Sequence, residues 1–238
     1  MRRVNYDSDE DHTEGTDWGD EGTRRHFISK VLTIIAFQMA FTAAITCGVL
    51  FIDPAKSFFL QYWYMCYIGT GGMIVISFIL YCCRSLARHP IVGSVLLFLY
   101  TIFATILVCS VTVYYEINLI LYALGITVLL CTCLTLFALF LPCDFTGYGP
   151  YLCVAGIILF GIGLLASFIG GTVLNWIYAC LGLLLFSLYL VYDIQLMVGR
   201  HSNQYSESDY ILAALNIYID VVRIFLMLLR IIGLIKHG

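Results

Sequence analysis

From Phe27 onward the chain is apolar in long runs separated by short polar breaks. Seven runs can be drawn, at roughly 28–52, 62–83, 91–115, 117–141, 150–170, 173–198 and 211–235. Each is close to the ~20 residues a helix needs to cross a bilayer. The pattern is continuous rather than alternating, which favours helices. An open strand would leave its backbone groups unpaired in lipid. The expected fold is therefore all-α and integral to the membrane: a bundle of seven transmembrane helices with short loops. The third and fourth runs nearly merge, and Glu116 and Asn118 mark the turn between them. The seventh run holds Asp220, Arg223 and Arg230, yet it is long enough to cross, and a bundle can shelter its charges.

Composition removes the competing classes. The 238 residues are 61% hydrophobic and only 11% charged, whereas a soluble domain is nearer half apolar and a quarter charged. The net charge of −3 is concentrated at one end. Residues 7–21 hold many of the carboxylates, so residues 1–26 are expected to form a disordered acidic tail and residues 27–238 the bundle. No basic patch suits nucleic acid. The partners to expect are the lipid bilayer and small cations. Arg24, Arg25, Lys30, Arg84, Arg88, His89, Arg200 and His201 all fall on one side of the bundle. The opposite loops offer only Lys56, so the basic side, with the N-terminus, is expected to be cytosolic.

Two carboxylates lie inside the apolar runs. Asp193 is about five residues inside the end of the sixth, and Asp220 about ten inside the start of the seventh. At 1.5 Å per residue they lie roughly 8 and 14 Å deep from the same side. The two segments are joined by a short loop and are expected to be neighbours, so the aspartates can face each other. An ionisable group at such depth is a functional candidate by default. Asn216, Asp220, Arg223, Met227 and Arg230 follow at spacings of 4, 3, 4 and 3, which forms one polar stripe on an otherwise apolar helix. Thr101 and Thr105, with Ser94 and Thr112, share a face of the third segment. Such surfaces can line a narrow polar route. Two adjacent carboxylates tend to share a proton, and the titration then belongs to the pair. When ionised they attract a hard cation such as Ca²⁺. Competition between proton and cation would make a pH-sensitive path. The plainer alternative is structural: Asp220 could pair with Arg223, and Asp193 with Arg88, Arg200 or Arg223.

At these residues the chain resembles the transmembrane Bax inhibitor motif family, also called lifeguard proteins. The resemblance is carried by Tyr192-Asp193, by the run from Ala213 to Val222 with Asn216, Tyr218 and Asp220, and by Ile224-Phe225-Leu226. Further matches are Phe27-Ile28 with Lys30-Val31 and Gln38, Arg88-His89-Pro90 with Leu97-Phe98 and Thr101, and Asp144-Phe145. It implies a seven-helix fold around a central sixth or seventh hydrophobic helix. It also implies a Ca²⁺ leak across endomembranes such as the ER or Golgi, and suppression of cell death. The aspartate pair that controls such a leak maps onto Asp193 and Asp220, the residues that would also meet Ca²⁺, and the arginine latch maps onto Arg88. Tyr192, Tyr218, Asn216, Thr101 and Thr105 would support the site. No tightly bound cofactor and no enzymatic activity are expected. Two positions depart from the pattern. Arg223 stands where relatives usually carry asparagine, and Ala104 where eukaryotic members often carry glutamate. A guanidinium beside Asp220 favours the ionised carboxylate and repels a passing cation.

Two other functions fit parts of this pattern. A non-conducting protein could restrain cell death by binding apoptosis-regulating membrane proteins, using the acidic tail and the small-residue face of the fifth segment (Gly163, Ser167, Gly171; Ala166, Gly170). An intramembrane aspartyl protease would also need two aspartates on neighbouring helices, but Asp220 is not glycine-flanked and no Pro-Ala-Leu motif follows it.

Overall fold

The computed structural model describes residues 21–140, 143–199 and 203–237. Residues 1–20 of the acidic tail, and Arg200 and His201 of the basic edge, lie outside the described residues. Nine α-helices are present among those described: α1 Glu21–Phe51, α2 Asp53–Gln61, α3 Met65–Cys82, α4 Arg84–Arg88, α5 Pro90–Thr112, α6 Ile117–Phe140, α7 Gly149–Ile169, α8 Thr172–Val198 and α9 Tyr210–His237. Seven of them, all but α2 and α4, are long and apolar enough to span a bilayer. Glu21 to His26 belong to α1, so the first helix starts several residues ahead of the apolar run.

The breaks have local causes. Pro54 and Pro90 sit in the first turns of α2 and α5, where a missing N–H costs nothing. Gly170 and Gly171 take φ of +69° and +95° between α7 and α8, a turn that other residues would strain to make. Gly199 closes α8 in the left-handed conformation, its N–H donating to Gln195 O at 2.8 Å.

The last helix is the axis. It packs on α1, α5, α6 and α8, while α3 lies against α5 and α7 against α8. Ile211, Ala213, Ala214, Tyr218, Ile224 and Leu229 of α9 are fully enclosed. The family resemblance left the central helix as the sixth or seventh span, and the structure makes it the seventh.

Lipid removes most of the hydrophobic drive between helices, so close fit and polar bonds must hold the bundle. Both are visible. A Cβ on Gly69 would lie 2.9 Å from the Leu107 N and Phe103 O backbone atoms, so this glycine lets α3 approach α5. On α7 the fit differs from the four-residue spacing read in the sequence. Gly149, Gly156 and Gly163 recur every seventh residue, and a Cβ at each would meet Tyr192, Tyr189 and Tyr178 of α8 respectively. Ser167 and Gly171, from the four-residue pattern, are exposed. Between α1 and α5 there are three polar rungs, each one helical turn apart. Gln38 Nε2 donates to Thr101 Oγ1 at 2.8 Å, Thr42 and Thr105 share a hydroxyl bond of 3.1 Å, and Thr46 meets Cys109 Sγ at 3.6 Å.

Candidate functional site: a capped aspartate pair

Asp193 and Asp220 are buried, with 4% and 3% of their surfaces exposed. The α8–α9 contact brings them together, near enough for each carboxyl to act on the other. Two carboxyls so placed tend to share one proton. Asp193 Oδ1 also accepts from Tyr205 Oη at 2.9 Å and from Asn216 Nδ2 at 3.4 Å. Asn216 Nδ2 donates to Tyr205 Oη at 2.7 Å, and Tyr81 Oη donates to Asn216 Oδ1. Asp193 therefore sits in a network of donors. Asp220 does not, because its Oδ2 is buried without a hydrogen-bond partner. A buried polar oxygen of this kind costs about 1–3 kcal/mol. It marks a place where a proton, water or cation would be accommodated.

The cover over this pair is residues 203–209, just ahead of α9, and its contacts explain its position. Asn203 donates to Thr146 O at 3.1 Å through Nδ2, and Arg24 reaches Gln204 Oε1 at 3.4 Å. Arg88 Nε contacts Asp209 Oδ1 at 3.0 Å. Beneath it, buried Gln195 clamps the α6–α7 connection, accepting from Phe145 N at 2.8 Å and donating to Cys143 O at 3.1 Å. These ties hold Tyr205 above Asp193. The Tyr205 phenol is pushed well above its ordinary pKa, first by burial and next by the Asp193 carboxylate. It therefore stays neutral and remains a donor.

The other expected site residues are placed as follows. Arg88 does not touch the pair; its partner is Asp209 on the cover. Arg223 makes no ion pair with Asp220 and lies instead over the Phe186 ring at 5.0 Å. The structural alternative of an Asp220–Arg223 ion pair is therefore not formed. Asn216 joins the network directly. Thr101, Thr105 and Tyr218 form a second cluster on the α1–α5–α9 seam, where Tyr218 Oη meets Thr42 Oγ1 at 2.8 Å. Tyr192 fits the notch at Gly149. Among the described residues no group of three His, Cys, Asp or Glu could hold a metal ion. Two carboxyls with phenol and amide neighbours fall short of the six to eight oxygens that a resident Ca²⁺ prefers.

Tyr205, Tyr81 and Asp209 carry this site and were not among the residues read from the sequence. The Tyr205 signal was available: a tyrosine in the short loop that joins the ends nearest both aspartates.

Fold and site define a class: a seven-span helical membrane protein with two buried aspartates on neighbouring helices, one of them capped by a tyrosine of the loop before its central helix. Comparison with known proteins then fixes the family. The model of the family "Inhibitor of apoptosis-promoting Bax1" matches residues 24–237, and the chain belongs to this family. It is 31% identical to human protein lifeguard 3 over 91% of this chain and 71% of the relative. It is 30% identical to mouse protein lifeguard 3 over 96% and 77%. It is 34% identical to protein LIFEGUARD 4 of Arabidopsis thaliana over 86% of this chain and 83% of the relative.

Proposed function

We propose that this protein is a pH-sensitive Ca²⁺ leak of an ER or Golgi membrane that suppresses apoptosis, with its N-terminus in the cytosol. The observation that carries the reading is the Asp193–Asp220 carboxyl pair, buried within the bundle beneath a tied-down loop. The family description and the lifeguard relatives support regulation of cell death over proteolysis.

The mechanism follows from the pair's single proton. With the proton in place the two carboxyls hold α8 to α9 and carry at most one charge. Its loss leaves two negative groups in contact, which repel and loosen the α8–α9 seam. The same two charges attract a divalent cation. Conduction therefore rises with pH, and protons and Ca²⁺ compete for the same oxygens. Arg88–Asp209 acts as a strap on the cover rather than a latch on the pair.

Ca²⁺ flux into liposomes holding the purified chain tests this. Flux is expected to climb between pH 5.5 and 8. A chain that folds but passes no Ca²⁺ above empty liposomes would favour the non-conducting alternative, which restrains cell death by binding other membrane proteins.

A further inference from the structure

The opposite end of α9 carries a second charged feature, which the aspartate mechanism does not use. Arg230 stands twenty residues past the start of α9, about 30 Å along the helix and so near the far edge of the hydrocarbon layer. It borders a cleft of about 500 Å³ lined by Trp63, Ser110, Tyr114, Tyr115 and Asn175. The guanidinium lies over the Tyr178 ring at 4.8 Å and donates to Asn175 Oδ1 at 2.5 Å. Among the described residues the ion pairs are Arg88–Asp209 and Lys236–Glu116, and none of their carboxylates is in ion-pair contact with Arg230. Glu116, the acidic residue of the nearby α5–α6 turn, is engaged by Lys236.

A guanidinium has five N–H donors in a planar fork. Here the ring and the asparagine fix its plane and leave most of the donors uncommitted. A simple snorkelling arginine reaches for water along a lipid-facing helix end. Arg230 is instead half-buried and held in an aromatic-walled cleft. An unneutralised cation in such walls favours an anion that accepts two hydrogen bonds side by side. By helix length the cleft falls near the membrane–water interface, where aromatic residues are typical.

We propose that the Arg230 cleft is a binding site for a phosphate group, either that of an anionic lipid headgroup or a free phosphate. Asn175 and Tyr178 orient the fork, and Arg230 supplies the charge and the donors.

Native mass spectrometry of the full chain in detergent tests the lipid source, with dioleoyl phosphatidic acid against dioleoylglycerol, which has the same tails and no phosphate. Inorganic phosphate in a thermal-shift assay tests the soluble source. Wild-type protein should retain phosphatidic acid over dioleoylglycerol by at least about ten-fold, the scale of one charge-assisted hydrogen bond. Arg230→Gln should abolish that excess, while Arg230→Lys should keep part of it and Arg84→Gln, at the other end of the bundle, all of it. Gly233→Leu keeps the guanidinium but adds bulk to the cleft wall, where its Cβ meets the Tyr115 ring. It should also lose the excess, which covers a failure of Arg230→Gln to fold. A phosphate-induced rise in melting temperature, without lipid preference and absent in Arg230→Gln, would support the site with a soluble ligand. Binding of neither probe, equal binding by wild-type and Arg230→Gln, or an equal loss in Arg84→Gln would overturn it.

Discussion

At Asp193 the donors all come from one side. Tyr205, Asn216 and, through it, Tyr81 face one carboxyl, while Asp220 Oδ2 faces none. The two acids are thus unequal, and Tyr205 is the tie that joins the cover directly to the pair. Tyr205→Phe should cost about 1 kcal/mol, one net hydrogen bond. It should raise Ca²⁺ flux at pH 7 by about five-fold, the change in a closed–open equilibrium that this energy implies. Flux at the wild-type level in a variant with a lowered melting temperature would show that the cover does not gate. The Arg88–Asp209 pair is largely exposed on the arginine side and is worth about 0–1 kcal/mol. Arg88→Gln should therefore leave the melting temperature nearly unchanged while raising the leak, and an Arg88→Asp, Asp209→Arg exchange should restore wild-type flux. The burial of both aspartates was legible from hydropathy, because charge within a long apolar run is conspicuous. The true partner of Arg88 was not, because it depends on how α4 and the loop before α9 fold back. Tyr205 was hidden for a related reason: loop residues carry no periodicity from which a direction can be read.

Among the elements, the central position of α9 follows from its small and aliphatic first turns, Ala213-Ala214-Leu215 above all, which are fully enclosed. Seven spans were readable because continuous apolar length decides them, six of them to within a few residues; the first begins earlier, at Glu21, because polar residues extend its helix. The short α2 and α4 were not readable, since five to nine residues between spans leave no measurable period. Nor was the α7–α8 fit. Glycines spaced by seven become notches only once the tyrosines of α8 are placed opposite them. The same geometry makes a contrast on α3. Gly69→Ala sets its methyl group against α5 backbone and should destabilise the bundle by about 1–3 kcal/mol. Gly71→Ala, with open space around its Cβ, should be neutral or slightly stabilising through helix propensity. Thermal melting of the two variants in one detergent checks this, and equal melting temperatures would contradict the close α3–α5 packing.

The whole molecule is a bundle whose two ends are built differently. One end holds a carboxyl pair under a loop tied to α4, α1 and the α6–α7 connection. The other opens into an aromatic cleft around a lone arginine. Between them run the α1–α5 rungs and Tyr218, polar enough to specify the packing, each rung worth roughly 0.6–2 kcal/mol in lipid. The last helix runs between the two ends and carries both Asp220 and Arg230. Measuring Ca²⁺ flux into liposomes from pH 5.5 to 8, for the wild type beside a folded Asp193→Asn, Asp220→Asn variant, tests the central claim most directly. The account predicts that wild-type flux rises with pH and that the double variant gives a flat profile. The same pH-dependent rise in the double variant, or flux that falls as pH rises, would contradict the aspartate pair as the gate.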